Sequence, residues 1–121
     1  MRQTHEELEA VKRYVELPYL MTIIENDKKK ISDSDMRMKS VYTNHLDEIQ
    51  GKVTVEIYKL KNYFKSNGIK IIEAAKTSDS LNVEYSIRGY THKMVLLWSK
   101  VKVDVTLILT EYLRIDITQL K

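Results

Sequence analysis

The 121-residue sequence contains no cysteine, one proline, three glycines, one phenylalanine and one tryptophan. The absence of cysteine excludes disulfide bonds and thiolate metal sites, and it is typical of proteins in a reducing compartment. Three scattered glycines exclude the glycine-rich loops that hold phosphate groups. No apolar run approaches the roughly 20 residues that cross a bilayer, and the N-terminal segment mixes charges of both signs, unlike a signal peptide. These absences predict a cytoplasmic protein with no membrane partner and no cofactor.

The composition is that of a folded chain. Hydrophobic residues make up 43% of it and charged residues 31%, which is too apolar for disorder, and 121 residues can bury a core. We therefore expect one domain over residues 1–121. The net charge of +3 is unevenly placed, since residues 1–60 sum to −1 and residues 61–121 to +4. A basic C-terminal half is compatible with nucleic-acid binding.

The first segment carries a helix-start signal. Thr4 and Glu7 have the spacing of a capping box, in which each side chain bonds the other residue's backbone N–H. The apolar spacing that follows predicts a helix over about residues 4–31. Pro18 lies inside it and lacks the N–H for a helical hydrogen bond, so it must either bend the helix or begin a new one. We expect a kink.

The clearest pattern in the chain is a central amphipathic helix over about residues 34–66, whose apolar positions recur every three or four residues. These positions are Tyr42, Leu46, Ile49, Val53, Ile57, Leu60 and Phe64. Asn67-Gly68 follows as a C-cap, because glycine adopts the left-handed conformation without penalty. Since such a helix would be about 50 Å long at 1.5 Å per residue, another helix or another subunit should cover part of it.

Residues 69–88 predict a β-hairpin. A short β-branched run, IKIIEAA, is followed by the turn-like KTSDS and then by LNVEYSI, in which apolar and polar residues alternate. Two strands alone are marginal in water, so the apolar face of the hairpin must lie on helices, or its edge must pair with another chain.

The last segment, IRGYTHKMVLLWSKVKVDVTLIL over residues 87–109, fits two patterns. Polar and apolar residues alternate from Lys100 as in a strand, whereas apolar residues also recur at helical spacing for more than 20 residues. The longer pattern favours a helix over about residues 91–115, with Thr91 as its N-cap. The complete prediction is an α+β fold, mostly helical: a kinked N-terminal helix, a long central helix, a β-hairpin and a C-terminal helix.

Three stretches resemble a family of small uncharacterised proteins from Bacillus-like bacteria and their mobile elements, the YhjD-like proteins. The stretches are ELPYLMTIIENDKK, KVTVEIYKLKNYFKSNGIKI and VEYSIRGYTHKMVLLW, and they are spread over residues 16–98, so together they span most of the chain from Glu16 onward. The resemblance implies that the segment after Tyr90 is helical. No established activity comes with it, so it assigns no site residues.

Side chains for catalysis or metal binding are sparse. His5, His45 and His92 have no histidine three or four residues away, and His45 with Glu48 is one pair where a metal-binding bundle uses two. No serine stands in a nucleophile-elbow motif. We therefore expect neither an enzyme nor a metal site.

The stretch RGYTHK, residues 88–93, is the best local candidate for a binding site. If a helix begins near Thr91, its free N–H groups favour an anion, and Arg88, His92 and Lys93 would add donors. The alternative is a strand-to-helix turn whose charged side chains are solvated, and this simpler interpretation is the one we favour.

A second candidate is the lysine-rich end of the central helix. Lys59, Lys61 and Lys65 interleave with Tyr58 and Tyr63, and aromatic rings among lysines can stack on and neutralise nucleic acid. Tyrosine is also well suited to the margin of a core, with its ring buried and its hydroxyl in water. We favour the core-margin interpretation, because interleaving along a helix need not place rings and charges on one face.

Three functions follow, in order of preference. The first is a non-enzymatic interaction module that self-associates, with a dimer favoured, and binds another macromolecule, because the predicted elements would leave apolar surface uncovered. Its candidate interface residues are Trp98, Val103 and Leu107. The second is a regulatory nucleic-acid-binding protein that uses the basic C-terminal half. The third is small-anion binding at the start of the last helix.

Overall fold

A computed structural model describes residues 3–115 and contains three helices and three strands within them. In chain order these are α1 (His5–Ser32), α2 (Lys39–Asn67), β1 (Ile69–Lys76), β2 (Ser80–Ile87), β3 (Tyr90–Leu97) and α3 (Trp98–Leu113). The predicted α+β class with predominant helix is confirmed. The predicted bounds of the first helix are nearly those observed, whereas the start of the second helix and the segment between the hairpin and the last helix differ from the prediction.

The start of α1 confirms the predicted capping box. The Thr4 hydroxyl accepts a hydrogen bond from the Glu7 N–H at 3.0 Å, and the Glu7 carboxylate accepts one from the Thr4 N–H at 2.9 Å. The helix then runs unbroken through Pro18 to Ser32. A new helix beginning at Pro18, the alternative that the sequence left open, is therefore not formed.

Helices α1 and α2 form an antiparallel pair. The N-terminal half of α1 contacts the C-terminal half of α2, and the C-terminal end of α1 contacts the N-terminal half of α2. Arg13 of α1 bonds Glu56 of α2, and Lys28 bonds Gln50 at 2.8 Å. Residues 33–38 join the two helices. The Ser34 hydroxyl donates a hydrogen bond to the last turn of α1 and so extends that end of the helix. Helix α2 begins five residues later than predicted and ends, as predicted, at left-handed Gly68.

The sheet has three antiparallel strands in the order β1-β2-β3, where the sequence predicted two. Residues 90–97, expected to be the first turns of a helix, form β3, and the predicted N-cap Thr91 pairs with Ser86 in the sheet. The physical reason is the turn before them. Arg88 and Gly89 both have positive φ, 49° and 88°, and this pair of conformations reverses an antiparallel hairpin in two residues.

Helix α3 confirms the helical interpretation of residues 100–109 but begins at Trp98. The backbone N–H of Trp98 donates to the Asp79 carbonyl at 3.1 Å, and its indole N–H donates to the Thr77 carbonyl at 2.8 Å. Both acceptors lie in the β1–β2 turn, which therefore fixes the point where the strand ends and the helix starts.

The core lies between the helices and one face of the sheet. The alternation predicted for β2 is confirmed, and its buried residues are Leu81, Val83, Tyr85 and Ile87. Tyr85, the largest side chain of the core, is fully buried and donates its hydroxyl to Gln3 at 2.6 Å. Helices α1, α2 and α3 close over this face with apolar residues from each. The opposite face of the sheet is open, as Val95 at 65% exposure shows.

Candidate functional site

Arg88, the first candidate for anion binding, is engaged inside the protein. Its guanidinium donates to both carboxylate oxygens of Glu7, at 2.6 and 3.1 Å, and to the Asn67 carbonyl at 3.0 Å. These hydrogen bonds from Arg88, with those from the Thr4 backbone, hold the pKa of Glu7 at about 2 although burial opposes ionisation. Arg88 thus joins the first turn of α1 to the last turn of α2.

The other two residues of that candidate point to opposite faces of the sheet. His92 pairs with Tyr85 on the core face and stacks on its ring, with centroids 5.5 Å apart. Lys93 pairs with Glu84 on the outer face. Since Thr91 lies in a strand, the helix N-terminus on which the predicted anion site depended does not exist there. The anion-site hypothesis therefore loses the helix N-terminus on which it depended. The favoured alternative, a strand-to-helix turn with solvated charges, is also wrong, because the turn joins two strands and Arg88 is ion-paired with Glu7.

The three lysines proposed for nucleic-acid contact are exposed on α2 but do not share one face. Lys61 and Lys65 are one turn apart and adjacent. Lys59 lies two residues before Lys61, which is about 200° around a helix of 3.6 residues per turn. The structure therefore brings together two of these side chains and places the third elsewhere.

The predicted interface residues also separate. Trp98 packs its ring edge against Tyr19, with centroids 5.2 Å apart, and its indole N–H is bonded within the chain. Val103 is 53% exposed on α3, and the neighbouring Leu107 lines a cavity. Trp98 has a structural role in the sheet-to-helix junction, and Val103 remains an exposed apolar side chain.

That cavity, with a volume of about 390 Å³, lies between α1, α2 and α3. We call it the three-helix groove. Its carboxyl groups are Glu6, Glu9, Glu16, Glu56, Asp104 and Glu111. Its basic residues are Lys12 and Arg13, and its aliphatic walls are Ala10, Leu60, Leu107 and Ile108. The groove therefore combines an excess of acidic groups with apolar walls.

The most buried carboxyl groups of the groove are Glu16 of α1 and Asp104 of α3, which are hydrogen-bonded to each other. Lys12 and Lys100 lie 3.2 and 3.0 Å from the Asp104 carboxylate. Burial, the bond to Asp104 and the charge of Asp104 raise the pKa of Glu16 to about 8. Burial also opposes ionisation of Asp104, but hydrogen bonds from Glu16 and the two lysines outweigh it and lower that pKa. At neutral pH Glu16 is thus the proton donor and Asp104 the carboxylate.

A second ionic cluster crosses the groove between α1, α2 and α3. Arg13 binds Glu56 through two nitrogens, at 2.5 and 3.0 Å, and reaches Glu111 at 3.4 Å. The Tyr112 hydroxyl also donates to Glu56. Burial and this bond to a carboxylate raise the pKa of Tyr112. Arg13 therefore neutralises one side of the groove and links three helices.

Sequence reasoning did not find the Glu16–Asp104 pair, although each residue leaves a signal. Asp104 stands on the apolar stripe of α3, three residues after Val101 and four before Ile108. Glu16 is four residues before Leu20 on the buried face of α1. A carboxyl group on a buried stripe needs a partner, but the sequence does not show that these two partner each other from different helices.

The side of α2 that faces away from α1 is a second candidate surface. The residues on it follow at steps of three or four and are all exposed: Val41, His45, Glu48, Lys52, Val55 and Tyr58. Val41, Val55 and Tyr58 are 53–65% exposed. We call this the outer face of α2. Gly51 lies beside it in mid-helix, and a Cβ atom added there would meet no atom within 4 Å.

Comparisons with known proteins give one result. A search of curated proteins and a search of solved structures each found no match. Among residues 3–115, none of the helices combines the length and the apolar character that a membrane crossing requires. A model of the YhjD protein family, however, matches residues 2–117. This match covers nearly the whole chain and confirms the resemblance seen in the sequence, and the chain belongs to the YhjD protein family.

Proposed function

We propose that this protein is an interaction module that forms a two-fold dimer through the outer face of α2 and binds a further macromolecule. One observation supports the dimer above others: Val41, Val55 and Tyr58 are more than half exposed on the side of α2 opposite its core stripe. Exposed apolar groups aligned on one helix face are typical of association surfaces. In the dimer the second copy covers part of the long central helix, as we expected from the length of its apolar pattern.

The occupant of this face is a second copy because its charges are self-complementary. Two α2 helices packed antiparallel about an axis near residue 50 place Glu48 of one copy opposite Lys52 of the other. The same arrangement places Val41 near Tyr58 of the second copy, so apolar groups meet at both ends. A two-fold interface requires this reciprocity, in which each residue pair occurs twice.

Gly51 supports the same axis. Glycine inside a helix costs about 1 kcal/mol relative to alanine, and nothing among residues 3–115 requires it, since an added Cβ would meet none of their atoms within 4 Å. A second helix that crosses α2 at this point would explain the glycine, because a residue without a side chain lets two helix backbones approach closely. Gly51 lies beside the proposed axis, three residues after Glu48 and four before Val55.

Light scattering coupled to size exclusion tests the dimer. A single helix–helix contact is a small interface and therefore weak, so the chain is examined up to about 100 µM. We expect dimer for the natural chain, monomer for Val55→Glu, and dimer for the matched control Val95→Glu on the outer face of the sheet. A monodisperse monomer of the natural chain at this concentration would overturn the proposal.

The substitution Gly51→Ala separates the interface from a simple helix effect. In a monomer, alanine strengthens α2 and raises the free energy of unfolding by about 1 kcal/mol. In the proposed dimer the added methyl group separates the two backbones, so the dissociation constant rises although the monomer is more stable. Unchanged association together with higher stability would place the interface elsewhere.

A further inference from the structure

The core face of the sheet is not fully covered at the free edge of β1. Ala74 pairs with Val83, which is buried beneath the helices, yet Ala74 itself is exposed. The pairing of β1 with β2 shifts between Ile71 and Glu73, where Ile72 is the extra residue of a β-bulge. Because a bulge bends its strand and increases the twist, it accounts for a gap between α1 and the second half of β1.

This gap is a cleft of about 330 Å³, which we call the edge cleft. Its lining includes the buried Leu81, Tyr14, Pro18 and Tyr19 of α1, and Ala74 and Lys76 of β1. It shares no lining residue with the three-helix groove. Apolar and aromatic walls with few polar groups, at this volume, are typical of sites for small organic molecules.

Among the described residues, one charged side chain lines the edge cleft. The Lys76 ammonium lies 5.3 Å from the centre of the Tyr19 ring and makes no ion pair with any carboxylate of residues 3–115. The Thr22 hydroxyl, also in the lining, already donates to the Pro18 carbonyl at 3.1 Å. A contact with an aromatic ring leaves ammonium N–H donors free for an anion. The cleft therefore combines an available cation with apolar walls.

We propose that the edge cleft binds a small carboxylate with an apolar body, of the kind represented by a medium-chain fatty acid. The carboxylate pairs with the Lys76 ammonium at the rim, and the hydrocarbon chain covers Ala74 and the ring of Pro18. A doubly charged phosphate group is disfavoured, because the cleft offers it a single cation. The site shares no residue with the outer face of α2 and does not depend on dimer formation.

Trp98 provides a signal for binding from within the chain. Its ring edge contacts Tyr19, with centroids 5.2 Å apart, and Tyr19 is a wall of the edge cleft. A ligand that covers Tyr19 excludes water from this aromatic pair, so the emission of Trp98 should shift to shorter wavelength. Octanoate is the probe, and its titration should saturate with a dissociation constant of about 1 mM, as for a small ligand with one ion pair.

Isothermal titration provides a second measurement of the same binding. Absence of saturable binding by both methods up to about 10 mM octanoate would overturn the proposal.

Two further probes separate the contribution of charge from that of the chain. Butyrate keeps the carboxylate and lacks four methylene groups of octanoate. Each covered methylene contributes about two- to fourfold to affinity, so butyrate should bind at least about tenfold more weakly. Octylammonium has a chain of similar length and the opposite charge, and it should not displace octanoate. Equal affinity for butyrate would reduce the site to a surface lysine, and displacement by octylammonium would show unspecific apolar adsorption. Either result would refute the proposal.

Two lysine variants of β1 locate the carboxylate. Lys76→Gln removes the cation and should weaken octanoate binding about three- to fivefold, as expected for a partly exposed ion pair. Lys70→Gln is the matched control, because it removes the same charge from an exposed position of the same strand that does not line the edge cleft. It should bind like the natural chain. Equal weakening in both variants would show general charge attraction and not a site.

Two alanine variants of β1 locate the hydrocarbon chain. Ala74→Leu fills the edge cleft and should abolish octanoate binding, whereas Ala75→Leu adds the same group on the opposite face of the strand and should leave it unchanged. Circular dichroism and urea unfolding establish that both variants are folded. Natural affinity in folded Ala74→Leu would place the ligand elsewhere and refute the edge cleft, and the lysine variants test the site independently of this substitution.

Discussion

The guanidinium of Arg88, in the turn between β2 and β3, lies 2.6 Å from the carboxylate of Glu7, which caps the first turn of α1. Arg88 has a φ of 49°, a conformation that residues other than glycine rarely adopt. Its backbone N–H is bonded to the Gly68 carbonyl at 2.8 Å and its side chain to Asn67. These bonds compensate the unfavourable φ and join the sheet turn to two helix ends at one point.

The first prediction concerns this ion pair. Glu7→Gln keeps the cap on Thr4 but removes the charge, and it should lower the free energy of unfolding by about 1–2 kcal/mol. Arg88→Ala should destabilise the chain more than Glu7→Gln does, because it leaves a buried carboxylate without its partner. Urea unfolding followed by circular dichroism measures both.

The acid side of the stability curve provides a control for that prediction. The pKa of Glu7 is lowered to about 2, so its stabilisation is present above the unfolded value of 4.5 and is lost as the pH falls towards 2. Glu7→Gln should flatten this part of the curve, whereas Thr4→Ala should shift the whole curve down by about 1 kcal/mol. Equal acid sensitivity of the natural chain and Glu7→Gln would contradict the role of the ion pair.

Gly68→Ala should destabilise the chain by more than 1 kcal/mol. Gly68 has a φ of 66°, and an added Cβ would approach the Arg88 Cγ to 3.1 Å. The left-handed conformation itself costs alanine about 1 kcal/mol, and the close contact would displace Arg88 from Glu7. Gly51→Ala is the internal comparison, since it meets open space and should stabilise the folded monomer. A stabilising effect at both positions would show that the Gly68 conformation imposes no such constraint.

Local signals in the sequence predicted most of the elements. The capping box of Thr4 and Glu7, the apolar stripe of α2 and the glycine at its end each act within a few residues, so the pattern and the structure agree. The strand β3 was missed because its apolar residues also fit the helical spacing of α3. A two-residue turn ending in Gly89, directly after the alternating stretch LNVEYSI, was the signal for a third strand. The residues that follow it, YTHKMVLL, do not alternate and so gave no strand pattern of their own.

The residues of the candidate sites could be predicted from the sequence less well than the helices and strands. Arg88 was singled out as a possible anion contact, but in the structure its guanidinium binds Glu7, which lies 81 positions away in the chain, and no spacing rule connects the two residues. The Glu16–Asp104 pair depends likewise on how α1 packs against α3. Charge sums over the two halves of the chain could not reveal the acidic groove, because its residues come from three helices and both halves.

Trp98 is the one tryptophan of the chain, and its fluorescence distinguishes two positions for a dimer interface. It lies at the junction of β3 and α3 and not on the outer face of α2, so its emission should be the same in monomer and dimer. Diluting the protein through the concentration range of dissociation, with light scattering as the reference, tests this. A shift of the emission on dilution would show that Trp98 lies in the dimer interface, as the sequence analysis suggested.

Within the chain, Trp98→Phe should cost about 1 kcal/mol through loss of the indole hydrogen bond to the Thr77 carbonyl. Its contact with Tyr19 is largely kept by the smaller ring. Tyr19→Leu removes that aromatic contact and leaves the hydrogen bond, so the two variants separate the two contributions by urea unfolding. No effect from Trp98→Phe would mean that the bond is replaced by water at no cost.

The last prediction is a loss of stability from mildly acidic to alkaline pH, caused by Glu16. Its pKa is about 8 in the folded chain and near 4.5 when unfolded, so between these values the folded state binds more protons than the unfolded state. The free energy of unfolding therefore falls as the pH rises through this window, by at most about 1.4 kcal/mol per pH unit, and levels off above pH 8.

Urea unfolding at intervals from pH 5 to 9 measures that slope. Glu16→Gln cannot take up or release the proton, so its curve should be flatter than that of the natural chain. Asp27→Asn, which changes the same charge on the exposed side of α1, should keep the natural slope. The stability gained by Glu16→Gln should be largest at pH 9 and small at pH 5, because only the ionised carboxylate is costly at this buried position. A slope that survives in Glu16→Gln would assign the titration to another group.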